Sequence, residues 1–142
     1  MIPHDWIEAA SERLRGRVIH TPVTFDEALG CYLKWENQQQ TGSFKLRGAL
    51  NKVLTLQPWE REQGLVAASA GNHGAAMAWA CARVGRPLTV FTPRGAPHAK
   101  RARIAGLGAA LRDEAADYDD AERRGRAVPR GHTGPGRRRT GP

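Results

Sequence analysis

Between residues 64 and 109 the chain alternates short apolar runs with longer segments of helical character: GLVAAS, NHGAAMAWACARVG, PLTVFTP and APHAKRARIAGLGA. This alternation restricts the fold more than any other feature. Strand-length apolar runs separated by helix-length segments predict parallel βαβ units, because parallel strands need a crossover and cannot be joined by a tight turn. Right-handed crossovers then cover both faces of the sheet. The predicted class is α/β, a parallel βαβ three-layer arrangement. Gly85 ends the first of these helices, Pro97 stands near the first turn of the second, and Gly106 or Gly108 closes it. AALRDEA is the strand expected next, although it is poor in apolar residues, and DYDDAERR begins one more helix.

Upstream, MIPHDWIEAASERLRG predicts a helix capped by Asp5 with Glu8 three residues on, burying Trp6, Ala10 and Leu14 along one face. It lacks the apolar centre of a signal peptide, and no apolar run reaches the length of a membrane span. VIHTPV and CYLKWEN read as extended segments separated by FDEALG, a short helical or loop stretch. A helix from about Ser43 to Leu56 puts Leu46, Leu50 and Leu54 on one stripe with Ala49 and Val53 beside it, and Pro58 ends it.

A net charge of +8 invites a nucleic-acid reading, but residues 123–142 hold seven of the 22 Lys and Arg and none of the 14 acidic residues. The rest of the chain carries 15 basic against 14 acidic residues and is nearly neutral. With five Gly, three Pro and nothing more apolar than Val128, residues 123–142 cannot bury enough surface to offset the entropy of ordering them, so a disordered tail is expected. One reading is a basic arm contacting phosphates, weakened by the lack of any aromatic residue for base stacking. The preferred reading is a GC-rich gene translated out of frame. Nucleic acid is therefore an unlikely partner. Cys31 and Cys81 show neither CxxC nor Cys/His spacing, which disfavours zinc and makes a reducing cytoplasm the default.

Two stretches could carry chemistry. In TGSFKLRGALNKV, Lys45 falls in the first turn of the expected helix, where the positive end of the dipole favours the neutral amine, with Phe44 and Leu46 expected to add desolvation. A neutral amine is what Schiff-base formation needs, although most lysines on such helices simply reach into water. In SAGNHG, residues 69–74, Gly71 and Gly74 allow a tight turn and close backbone approach, and the following helix N-terminus offers unpaired N–H groups to a carboxylate or phosphate. The alternative is an ordinary βα turn with Asn72 as N-cap. The turn would lie at the carboxyl end of a parallel strand, where open α/β sheets take their ligands. There is no GxGxxG, Walker, HExxH or GxSxG pattern, and His4, His20, His98 and His132 read as surface or structural, so no metal site is expected.

HTPV at 20–23, KWENQQQTGSFKLRGALN at 34–51 and SAGNHGAAMAWA at 69–80 resemble, in order and spacing, the serine/threonine dehydratases, which with the serine racemases belong to the fold-type II pyridoxal-phosphate enzymes. The likeness covers about the first 120 residues, and the TGSFKxRGA and SxGNHG pair is highly specific. The resemblance implies that Lys45 binds pyridoxal phosphate covalently, that Phe44 lies against the cofactor ring, and that Asn72 hydrogen-bonds its phenolic oxygen. Ser69, Asn72 and His73 would hold the substrate carboxylate. Lys45, once freed, would remove the Cα proton, and loss of the β-hydroxyl from L-serine or L-threonine would give a 2-oxo acid and ammonia. Racemases of the family typically carry serine where this chain has Ala70, so dehydration is expected over racemisation.

The resemblance also sets an expected organisation. Residues 1–50 would belong to the family's large domain and carry the lysine, and residues 51–122 would form a small βαβ domain. The family's glycine-rich phosphate loop and the residue facing the pyridine nitrogen would come later than this sequence runs. The expectation is an N-terminal fragment cut short by a frameshift near residue 123, weak or inactive alone. Its partner would be a small amino-acid substrate and not a membrane, with a homo-oligomer possible for full-length relatives. The competing expectation is a catalytically silent fragment serving as an interaction module.

Overall fold

The computed structural model describes residues 1–129. In chain order the elements are α1 (His4–Leu14), β1 (Val23–Asp26), β2 (Cys31–Lys34), a 3₁₀ turn (Glu36–Gln38), α2 (Lys45–Thr55) and α3 (Pro58–Glu62). There follow β3 (Leu65–Ala68), α4 (Asn72–Arg83), β4 (Leu88–Pro93), α5 (His98–Gly106), β5 (Ala110–Ala115) and α6 (Tyr118–Arg126). β1 and β2 form an antiparallel hairpin, while β3, β4 and β5 make a parallel sheet in that order. The expected βαβ alternation is present, including β5, whose few apolar side chains suffice because it lies at the sheet edge.

Strand alternation sorts the two faces. Ala67, Leu88 and Val90 point into one buried cluster with Leu46, Ala49, Leu50 and Val53 of α2, Ala76, Ala80 and Cys81 of α4, Ile104 of α5 and Leu14 of α1. On the other face α6 lies so close that a Cβ on Gly125 would sit 3.3 Å from Val66 Cγ1 and 3.7 Å from Phe91 Cδ2. The sheet is thus covered on both sides, completing three layers. Leu46 and Ile104 are almost wholly buried, and truncating either to alanine would cost about 2–5 kcal/mol. The division expected after residue 50 falls inside α2, whose Leu50 and Val53 share one cluster with α4 and the sheet.

Several local expectations are corrected. α1 starts after Pro3 with no side-chain cap, and Asp5 lies within its first turn. Trp6 is 66% exposed and only Leu14 is buried, because α1 meets the rest of the fold mainly through its C-terminal end. Of VIHTPV only Val23 joins a strand, and FDEALG supplies the end of β1 and the hairpin turn. Pro58 does more than stop α2: it opens α3, where the Glu60 side chain accepts the Gln57 N–H at 2.8 Å. The disorder expected from residue 123 does not hold for residues 123–126, since α6 continues to Arg126. Arg123 and Arg124 reach back to Asp120 and Arg126 to Glu122, while Gly125 packs on the sheet. Residues 130–142 of the expected tail lie outside the described residues. No helix among the described residues is long and apolar enough to cross a membrane.

Candidate active site

The turn after β3 is built around one hydroxyl. Ser69 is held to β4 by its N–H, which donates to Phe91 O at 3.0 Å. Its Oγ accepts the N–H groups of Gly71 at 3.2 Å and Gly74 at 3.0 Å. Ser69 therefore caps α4 from below, and Gly71, not Asn72, is the N-cap residue. Gly74 has no room for a side chain, since a Cβ there would meet Ile104 Cδ1 at 2.9 Å and Ser69 O at 3.1 Å. With Gly71 and Gly74 satisfied, the N–H groups of Asn72 and His73 remain as first-turn donors that no intrahelical carbonyl can reach. The side chains of Asn72 and His73 are exposed, whereas Ser69 is buried beneath the turn.

Lys45 is the first residue of α2, and its backbone N–H donates to Ser43 Oγ at 3.2 Å. The side chain is exposed, with Nζ 4.7 Å from the centroid of the exposed Phe44 ring. Leu46 turns into the core instead of flanking the amine, whereas the Phe44 ring lies beside Nζ. The segment leading to Lys45 is pinned from α5: Arg103 Nη2 donates to Thr41 O at 2.6 Å, next to Gly42 with its left-handed φ of 60°. Thr41 Oγ1 is buried without a hydrogen-bond partner among the described residues.

The two segments meet. His73, although exposed overall, titrates below the ordinary range for histidine, first because its surroundings partly desolvate the imidazolium and second because the Lys45 charge repels it. Gly71, Asn72 and Ala75 line one wall of a cleft of about 190 Å³, and Lys100 and Arg103 of α5 line the other. Lys45, with Phe44 beside it, thus lies near enough to His73 to act on its charge, while of these four residues Asn72 alone lines the cleft toward α5. A larger cleft of about 520 Å³ lies along α1 against Val18, Ile19 and Arg47, and none of these four residues lines it.

Lys100 and Arg103 escape the sequence reading, because a cation on a helix after PHA looks like any solvated residue. The same holds for Glu36. Arg47, two residues after Lys45, grips its carboxylate at 2.7 and 2.8 Å, while Thr21 donates its hydroxyl at 2.6 Å. These bonds, chiefly that from Arg47, hold the Glu36 carboxyl down at about 2 against the opposing effect of burial. Lys34 Nζ donates to Thr21 O at 2.6 Å, so the hairpin is tied to the start of α2.

Comparison with known proteins places this geometry in context. Residues 14–136 match the family model described as pyridoxal-phosphate dependent enzyme. A putative threonine dehydratase of Sinorhizobium fredii is 42% identical over 122 residues, which is 82% of this chain and 37% of that protein. An L-threonine ammonia-lyase of Thermotoga maritima is 41% identical over 127 residues, 85% of this chain and 32% of that protein. Among solved structures, a serine racemase from maize superposes with a TM-score of 0.81 at 30% identity, over 86% of this chain and 39% of that one. The processed form of threonine deaminase isoform 2 from Solanum lycopersicum superposes with a TM-score of 0.76 at 27% identity, over 87% and 37% respectively. The chain therefore spans about a third of the length of the two relatives matched by sequence.

Proposed function

The chain belongs to the pyridoxal-phosphate dependent enzymes, and from that premise we propose that it serves β-elimination on a 2-amino-3-hydroxy acid, L-threonine or L-serine, yielding a 2-oxo acid and ammonia. One observation carries this reading: Arg103, which lines a cleft with Asn72 of the 69–74 turn, also holds Thr41 O, four residues before Lys45, so the turn and the segment bearing the amine share one mouth, in keeping with the action of the Lys45 charge on His73. The donor set there is a primary amine, an exposed aromatic face and an exposed carboxamide, which fits the aldehyde, ring and phenolic oxygen of pyridoxal phosphate. Lys45 Nζ would hold the aldehyde carbon, Phe44 would flank the ring, and Asn72 would donate to the phenolic oxygen.

When bound, the cofactor supplies an electron sink for the pair left at Cα. The protein supplies the remainder. The free N–H groups of Asn72 and His73, at the positive end of α4, receive the substrate carboxylate, with the Ser69 hydroxyl beneath and the His73 ring beside them. A carboxylate fixed there presents Cα toward the amine side of the mouth. Lys45 Nζ, as a free amine, would take the Cα proton. A depressed His73 stays neutral near neutral pH, so it adds no second positive charge beside the Lys45 amine. Ala70 has no proton to give from the opposite side, which supports elimination over racemisation. Both cysteines are free thiols, in keeping with the reducing cytoplasm we assign.

The test is direct. Protein incubated with pyridoxal phosphate develops the visible absorbance of a lysine Schiff base, and Lys45→Ala abolishes it while the fold is retained by circular dichroism. Folded protein that shows no such band, or a band that survives Lys45→Ala, overturns the reading.

A further inference from the structure

We propose that Arg103 is a positioning residue for the Lys45 amine, and that α5, through Arg103 and its neighbour Ile104, sets the spacing between that amine and the 69–74 turn. This rests on the reading above, in which the amine and the turn act on one molecule. Two consecutive residues of α5 reach the two halves of the site. Ile104 Cδ1 stands against Gly74, where an added Cβ would be 2.9 Å away. Gly74 is in turn bound through its N–H to Ser69 Oγ at 3.0 Å. Arg103 serves the other half: its Nη2 donates to Thr41 O at 2.6 Å, and a Cβ on Gly42 would lie 3.6 Å from the same nitrogen.

The segment held by Arg103 is short and leads straight to the lysine. Gly42 N–H donates to Gln39 O at 2.7 Å, and Ser43 Oγ accepts the Lys45 N–H at 3.2 Å. Core packing fixes α2 through Leu46, Ala49, Leu50 and Val53, but Phe44 and Lys45 are exposed and lie outside it. Other polar ties of this part of the chain run to the hairpin side, from Arg47 to Glu36 and from Gln39 to Ile19. The Arg103 bond instead joins it to the βαβ unit, across 62 residues. Thr41 is 1% exposed and its Oγ1 has no hydrogen-bond partner among the described residues, so water is a poor substitute donor for its carbonyl. A guanidinium stays charged throughout the working pH range, so this hold does not titrate. Removal of the Cα proton requires the amine within hydrogen-bond reach, and a misplacement of about 1 Å there lowers rates by about a hundredfold.

A double-mutant cycle in the full chain tests this without cofactor or turnover. The shift that Lys45→Ala causes in the His73 titration is measured by NMR, first in the wild-type background and then in Arg103→Met. The direct effect of losing the guanidinium cancels within each background, which leaves the coupling between Lys45 and His73. That coupling is expected to fall by at least about half in Arg103→Met, because an amine segment released from α5 spends its time farther from the turn. Arg103→Gln should do the same, since its amide ends where Nε stood and is too short for Thr41 O; it keeps a polar side chain and decides the matter if Arg103→Met does not fold. Lys100→Met removes the other cation lining the cleft and should leave the coupling unchanged. A merely structural brace would lower the urea midpoint and leave the coupling intact. The proposal is overturned by a coupling that survives loss of Arg103, by one that falls as far in Lys100→Met, or by none in the wild type. The Lys45 absorbance band reports the parent reading separately: a normal band with a coupling indifferent to Arg103 refutes the positioning role alone.

Discussion

Gly74→Ala sets two effects of opposite sign against each other. Alanine is the better helix former by about 1 kcal/mol in a helix interior, and less in a first turn where Gly74 lies. The added methyl, however, would stand 2.9 Å from Ile104 Cδ1, 3.1 Å from Ser69 O and 3.3 Å from Ser69 Cβ. The Ile104 contact is with the end of a side chain, but that side chain is 1% exposed and has nowhere to go. Ser69 O cannot retreat without stretching the 3.0 Å bond from Ser69 N–H to Phe91 O. Overpacking of this kind costs about 1–3 kcal/mol, so the net expectation is a loss of about 1–2 kcal/mol. Gly71→Ala is the control: its φ is −140° and nothing lies within 4 Å of the added methyl, so its effect should stay within about 0.5 kcal/mol. Urea denaturation at neutral pH reads both. A Gly74→Ala protein as stable as Gly71→Ala would refute the packing described between α4, Ser69 and Ile104.

Other expectations follow from the same geometry. The Glu36 carboxyl is lowered from 4.5 to about 2, so its contribution is full above pH 4.5 and is lost as the pH falls toward 2. Glu36→Gln should therefore cost about 1–2 kcal/mol at pH 7, with the gap to wild type closing below pH 4 in denaturation curves; a pH-independent gap contradicts the pairing with Arg47. Replacing Lys45 with alanine should move the His73 titration upward by NMR without restoring it fully, because burial is the larger cause; no movement would mean the two side chains do not face each other. A thiol reagent at pH 8 should modify exposed Cys31 promptly and Cys81 only after unfolding, since Cys81 is 1% exposed and burial pushes its thiol up to about 12. Equal rates in native protein would place Cys81 outside the core.

The parallel sheet was legible because its signal is local and repeated: GLVAAS and PLTVFTP each carry enough apolar residues to declare a buried strand, and Gly85 and Pro97 mark the helix limits. Lys45 and SAGNHG stood out for a different reason, since each is ordinary alone and only the pair, in order and spacing, matches a family pattern. What stayed hidden depends on distance along the chain. Trp6 looked buried because helical periodicity gives a face but not the length over which a neighbour covers it. Arg103 reaches Thr41 across 62 residues and Arg47 reaches Glu36 across 11, and no spacing rule announces such pairs. The true cap of α4 was missed because Ser69 acts from three residues before the helix.

The bifurcated acceptor at Ser69 has a consequence for how readily the site can be remade. A turn whose donors are already answered from within keeps its form whatever sits above it, so residues facing outward there can be exchanged without rebuilding the backbone. Chemical novelty at this mouth should therefore arise readily from positions 70, 72 and 73, and seldom from position 69.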